Sequence, residues 1–137
     1  MTAKEFLMQY QILTWEIERL DRDIEAIEDS IDDMSMNYSG MPRGNGISRK
    51  PEDIAVKLSE AKRKKLARQA KAIKKREEIS EAVGKIKDAT LSRLLYDRYI
   101  ELMSWKDTAE DIDKSEYWTR TDLHSRALKA LAEIRKK

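Results

Sequence analysis

Cysteine is absent from the 137 residues. That excludes disulfides, thiolate zinc sites and cysteine nucleophiles. Histidine occurs once, so a multi-histidine metal site is impossible, and no His/Asp/Glu cluster has metal-ligand spacing. No apolar run approaches the roughly 20 residues that cross a bilayer. The opening "MTAKEFLMQY" lacks the basic, apolar, small-residue order of a signal peptide, so a cytoplasmic location is expected. There is no glycine-rich phosphate loop after a strand and no nucleophile elbow. The acids lie along helix faces, whereas acid–base catalysis needs carboxylates in a shared pocket. The expectation is a chain with no cofactor and no metal that is not an enzyme.

What the chain has is charge and helix. Charged residues make up 39% and hydrophobic ones 40%, with only 4 glycines and 2 prolines. That mixture fits an all-α protein with much exposed surface. The net charge of +2 gives no global argument for nucleic acid, so any such argument rests on where charges sit. Thr2 with Glu5 reads as a capping box. Phe6, Tyr10, Leu13, Ile17, Leu20, Ile24, Ile27, Ile31 and Met34 follow in steps of four and three. That seam predicts a long helix packed knobs-into-holes on a partner helix.

"SMNYSGMPRGNGISRKP" then holds three of the four glycines and both prolines, and reads as a loop at about 35–50. It is either a crossover or a contact arm using Arg43, Arg49 and Lys50. A second long helix starts near Pro51, with Glu52 and Asp53 in its first turn, and runs to about Lys87. Its apolar stripe reads Ile54, Leu58, Ala61, then Leu66, Ala70, Ile73, then Ile79, Val83, Ile86. Gly84 loosens its last turns.

The two helices oppose one another in charge. From Glu5 to Asp33 ten acids face two bases, and from Lys57 to Arg76 ten bases face one acid. Matching lengths of opposite sign predict a mutual antiparallel pair, within one chain or shared between chains. The basic run has two readings. It balances helix one, or Lys62, Arg63, Lys65 and Arg68 are candidate phosphate contacts. Met8, Ile12 and Trp15 lie off the first seam, so a second neighbour is expected there: the C-terminal unit or another chain.

Residues 88–137 read as a separate helical unit after a 1–87 helical hairpin. Asp88, Ser104 and Ser115 are three capping positions. Leu91, Leu94, Leu95, Tyr99 and Ile100 mark one helix. Trp105, Ala109 and Ile112 mark a short second one, and "DKS" is a corner. Leu123, Ala127, Leu128, Leu131 and Ile134 mark the inner face of the last helix. Its outward positions are expected to be Tyr117, Arg120, Thr121, His124, Ser125 and Lys129, types that suit phosphates and base edges. Thr119 joins them as a candidate, as does Arg126, which contacts a phosphate or pairs with a nearby acid. Asp122, if outward, opposes DNA.

"LSRLLYDRYIELMSWKDTAEDI" followed by "LHSRALKAL" resembles a family of small phage and prophage proteins of Gram-positive bacteria. These are related to late-gene transcriptional activators of the RinA and ArpU type, and more distantly to the fourth region of sigma factors. Leu91, Leu94, Leu95, Arg98, Tyr99, Ile100, Trp105, Ala109, Ile112, Leu123, His124, Arg126, Ala127 and Leu128 carry the likeness. It implies a helix-turn-helix, double-stranded DNA as partner, RNA polymerase as a further one, and regulation of transcription. The corner departs from the family pattern. The capping serine stands at Ser115 rather than at Glu116, and the usual glycine is replaced around Asp113 and Lys114. Either the corner is one residue longer or its register differs. The leading expectation is a DNA-binding transcriptional regulator, a homo-oligomer with a dimer favoured. A coiled-coil assembly protein without DNA binding is the alternative, as is a small phage DNA-packaging subunit.

Overall fold

The structure, a computed structural model, describes residues 1–37 and 51–136. The expected loop, with Arg43, Arg49 and Lys50, lies outside the described residues. Among the described residues the regular elements are all helical, and the protein is all-α. Helix α1 spans Ala3–Asn37, α2 Pro51–Gly84, α3 Ala89–Tyr99 and α4 Trp105–Asp111. A single turn, α5 (Glu116–Trp118), then passes through a π-helical turn (Thr119–Leu123) into α6 (His124–Arg135).

The helix starts follow from side chains that accept orphan backbone N–H groups. The Glu5 N–H donates to Thr2 Oγ1 at 3.1 Å. Asp88 accepts from Thr90 and Leu91 at 2.9 and 3.2 Å. Ser104 accepts from Asp107 and Ser115 from Trp118, both at 3.1 Å. Helix α2 begins at Pro51 and stops at Gly84, three residues before the expected Lys87.

By contacts the chain forms two compact units. The first comprises Met1–Thr14 and Lys71–Lys137. Its core joins Phe6 and Leu7 of α1, Ile79 and Val83 of α2, Leu94, Leu95 and Tyr99 of α3, and Leu123, Ala127 and Leu131. Met8 packs against this core, as expected for a face needing a second neighbour, whereas Ile12 is exposed.

The second unit, Trp15–Ala70, is a helix pair. Asp21 pairs with Lys65, and Glu16 with Arg68 at 3.1 Å. Stepping back along α1 thus moves forward along α2, so the pair is antiparallel. The α1 seam is as the heptads predict: Ile24 is buried, and Ile17, Leu20, Ile27 and Ile31 are partly so. The α2 stripe is not. Leu66 is 67% and Ile73 62% exposed, and Ala70 is exposed too. The α2 seam keeps one heptad register through Ile54, Leu58, Ala61, Lys65, Arg68 and Ala72, each less exposed. Long cationic stems lie in the seam and bring their heads to α1 carboxylates, which displaces the apolar positions outward. Trp15 is likewise 52% exposed.

Candidate nucleic-acid interface

The candidate surface is the stretch from α4 to α6. Helix α4 ends in a Schellman motif: Lys114 N–H donates to Ala109 C=O at 3.0 Å, and Asp113 N–H to Glu110 C=O at 3.2 Å. Asp113 sits between them in the left-handed region, φ 57°. This conformation favours glycine, and Asp is among the few other residues that visit it. Asp113 therefore takes the left-handed position that glycine most often fills at such a helix end. Ser115 then caps the following turn.

A π-helical turn at Thr119–Leu123 sets the phase of the last helix. A π-turn carries one residue more than the α-turn it replaces. The additional residue lies between the cap at Ser115 and Leu123. Leu123, Ala127 and Leu131 thereby reach the core in ordinary α spacing, buried to between 0 and 5% exposure.

Two expected contact residues face inward. Thr119 is fully buried, because it lies four residues before Leu123 and so shares its face. Its Oγ1 has no hydrogen-bond partner. His124 is half-buried, four residues before Leu128. Its Nε2 shares a hydrogen bond with the Tyr99 hydroxyl at 2.7 Å, and the Trp105 ring meets it edge-on at 4.8 Å. Burial, with Lys4 and Arg98 nearby, pushes its pKa down to about 4, so the ring is neutral at physiological pH. Trp105 is partly buried and packs against the core, with the Arg98 guanidinium 4.7 Å over its ring.

The other candidates face out. Tyr117 is 80% exposed, and Arg120, Thr121, Ser125, Arg126 and Lys129 are also exposed. The Thr121 hydroxyl donates back to Tyr117 C=O at 2.7 Å. Arg126 takes the acid-pairing option: its Nε lies 3.0 Å from Asp122 Oδ2. Trp118 Nε1 donates to the same oxygen at 3.1 Å, and Lys114 Nζ lies 5.5 Å from the Trp118 ring centroid. Sequence reasoning missed this tether, although Trp118, Asp122 and Arg126 stand at legible i, i+4 spacings. Of the candidate phosphate contacts on α2, Lys65 and Arg68 are engaged by Asp21 and Glu16, while Lys62 and Arg63 are exposed.

A polar cluster braces the back of the site. Arg93 hydrogen-bonds Asp111 through Nε and Nη2, tying α3 to α4. Asp97, buried beside them, has its pKa pushed up to about 7 by burial and by the neighbouring Asp111 carboxylate. Asp111 is pulled down to about 2, mainly by the hydrogen bond from Arg93. Among the described residues no group of three or more His, Cys, Asp or Glu could hold a metal. Among the described residues no helix is long and apolar enough to cross a membrane.

Comparison with known proteins gives one family. The profile of DUF1492, described as a protein of unknown function, matches residues 33–131. No curated protein and no solved structure gives a significant match. The matched stretch takes in α2 and everything from α3 to Leu131 of α6, well over half of the chain. The chain therefore belongs to the DUF1492 family.

Proposed function

We propose that the protein is a DNA-binding transcriptional regulator of phage or prophage origin, related to the RinA and ArpU activators. Its helix-turn-helix would be α4, the Asp113 corner and the helix from Glu116 onward. The observation that carries this reading is the corner itself. A Schellman end and a serine cap lie two residues apart, and the helix beyond turns Arg120, Thr121, Ser125 and Lys129 outward from a core held by Leu123 and Ala127. Such side chains offer donors to phosphates and to base edges in the major groove. Thr119 and His124 leave the contact set because the core claims them. Double-stranded DNA is the partner, in a bacterial cytoplasm, with RNA polymerase as a further partner and the chain acting as a homo-oligomer. A coiled-coil assembly role is the second reading, favoured by the exposed Trp15 and Leu66 of the 15–70 unit.

The test is fluorescence-anisotropy binding to duplex fragments from the surrounding genome at two salt concentrations. Each phosphate contact contributes about 0.9 to the log–log salt slope. Arg120→Ala and Lys129→Ala are expected to weaken binding by roughly 5- to 100-fold, and a phosphate contact lowers the slope by about 1. No binding at low salt sinks the reading. Binding that ignores fragment sequence removes the regulator and leaves a packaging role.

A further inference from the structure

One guanidinium serves two carboxylates on different helices. Arg93 of α3 hydrogen-bonds Asp111, the last residue of α4, through Nε and, at 3.0 Å, through Nη2. The same Nε lies 3.9 Å from Oδ2 of Asp97, one turn further along α3. That is an ion-pair distance and too long for a hydrogen bond. Asp97 is 4% exposed, and its Oδ2 receives no hydrogen bond. A carboxylate buried without a donor is costly while charged, so it takes a proton or draws in a cation. Here Arg93 stays on Asp111, which leaves the proton. With that proton Asp97 becomes a donor, and the Asp111 carboxylate accepts from it.

The charged groups around Asp97 come from three sides. Arg93 and Glu101 face it from α3, and Asp111 faces it from α4. Glu101 is itself engaged by Arg76 of α2 at 3.4 Å. Lys87, in the link between α2 and α3, lines the same groove and is exposed. Burial is the largest influence on Asp97 and the Asp111 carboxylate adds to it, so its pKa is pushed up to about 7. Arg93, Asp97 and Glu101 line an open groove of about 670 Å³ along α3. A proton leaving Asp97 has a path to solvent, and the guanidinium has room to turn.

Asp111 closes α4 two residues before the left-handed Asp113. Arg93 therefore grips the end of the helix that makes the corner. We propose that Arg93 is a two-position switch: with a proton on Asp97 it clamps α3 to the end of α4 through Asp111, and when that proton leaves it turns to Asp97 and releases α4. A buried carboxylate has to be paired once it is charged. Asp111 is exposed, so water replaces Arg93 there at little cost. Asp97 has its pKa raised on folding, so the clamp is present below about pH 7 and is lost as pH rises through it. His124, held down at about 4, stays neutral across that window. The switch acts on the corner itself and holds whether or not the helix beyond it reads DNA.

Amide exchange of the full chain, read by NMR from about pH 5.5 to about pH 8, spans the window and tests the switch. Exchange at the Asp113 and Lys114 N–H groups, whose acceptors are Glu110 and Ala109, is compared with that of α3. In the wild type their protection relative to α3 is expected to fall roughly 2- to 5-fold as pH rises, the scale of a partly exposed ion pair. Asp97→Asn stands in for the protonated carboxyl and is expected to keep high protection at both ends. Arg93→Gln, at an exposed site, is expected to show low protection at both ends. A wild type without the step overturns the switch. So does a step of the same size in Asp97→Asn or in Arg93→Gln.

Discussion

At the scale of single residues, two positions carry costs that can be relieved, and two more carry opposite pH dependences. Asp113 holds a left-handed backbone at the end of α4, and its carboxylate sits at the negative end of that helix. Glycine removes the Cβ penalty and the unfavourable charge. Asp113→Gly is expected to raise the urea midpoint, by about 1 kcal/mol of unfolding free energy. Thr119 buries a hydroxyl without a partner. Thr119→Val keeps the shape and removes the desolvated group, so it should stabilise by about 1 kcal/mol and leave any duplex binding unchanged. Loss of binding in that variant would return Thr119 to the contact set.

Asp97 and His124 form a pair with opposite pH slopes. Asp97 moves from 3.8 to about 7 on folding. Its contribution is full below the unfolded pKa and is lost as pH rises to about 7. His124 moves from 6.5 to about 4. Its contribution is full above the unfolded pKa and is lost as pH falls to about 4. Between these limits the two slopes oppose each other. Denaturant titrations across this range should show stability rising with pH in Asp97→Asn and falling with pH in His124→Gln. The wild type should be flatter than either.

At the scale of elements, the π-turn predicts where the chain tolerates a deletion. Removing Arg120 converts the wide turn to an α-turn and keeps Leu123, Ala127 and Leu131 in phase, at a cost below about 2 kcal/mol. Removing Ser125 from α6 rotates Ala127 and Leu131 out of the core by one residue, about 100°, and should abolish the cooperative thermal transition. Equal effects would mean that the wide turn is not a removable insertion. The turn also marks the limit of what sequence makes legible. Thr2, Asp88, Ser104 and Ser115 are found from sequence because a capping oxygen acts within three residues. The α1 seam is found because its apolar residues never leave the heptad. The α2 seam is hidden because Lys65 and Arg68 occupy it, and hydropathy then follows Leu66 and Ile73 to the outside. His124 and Thr119 are misassigned because an outward set drawn as polar ignores that polar side chains four residues from core leucines are drawn in with them.

At the scale of the whole molecule, stability is unevenly spread. The large apolar cluster binds Phe6, Leu7, Ile79 and Leu95 into one unit, whereas the 15–70 unit rests on a thin seam. Amide exchange should therefore be slowest in α3, α6 and the last turns of α2, and fastest in residues 20–37 and 51–65. Uniform protection along the chain would contradict that picture.

The Asp122 carboxylate holds Trp118 and Arg126 at once. It is a tethered competitor, always present at high effective concentration because it is part of the same helix. An outside anion can have Arg126 only by displacing it, so approach of a phosphate becomes an exchange of ligands rather than a simple capture. A stray anion gains little from that trade. On the proposed reading a duplex, engaging several neighbours at once, would tip it, and the displaced Trp118 indole would report the moment by its fluorescence.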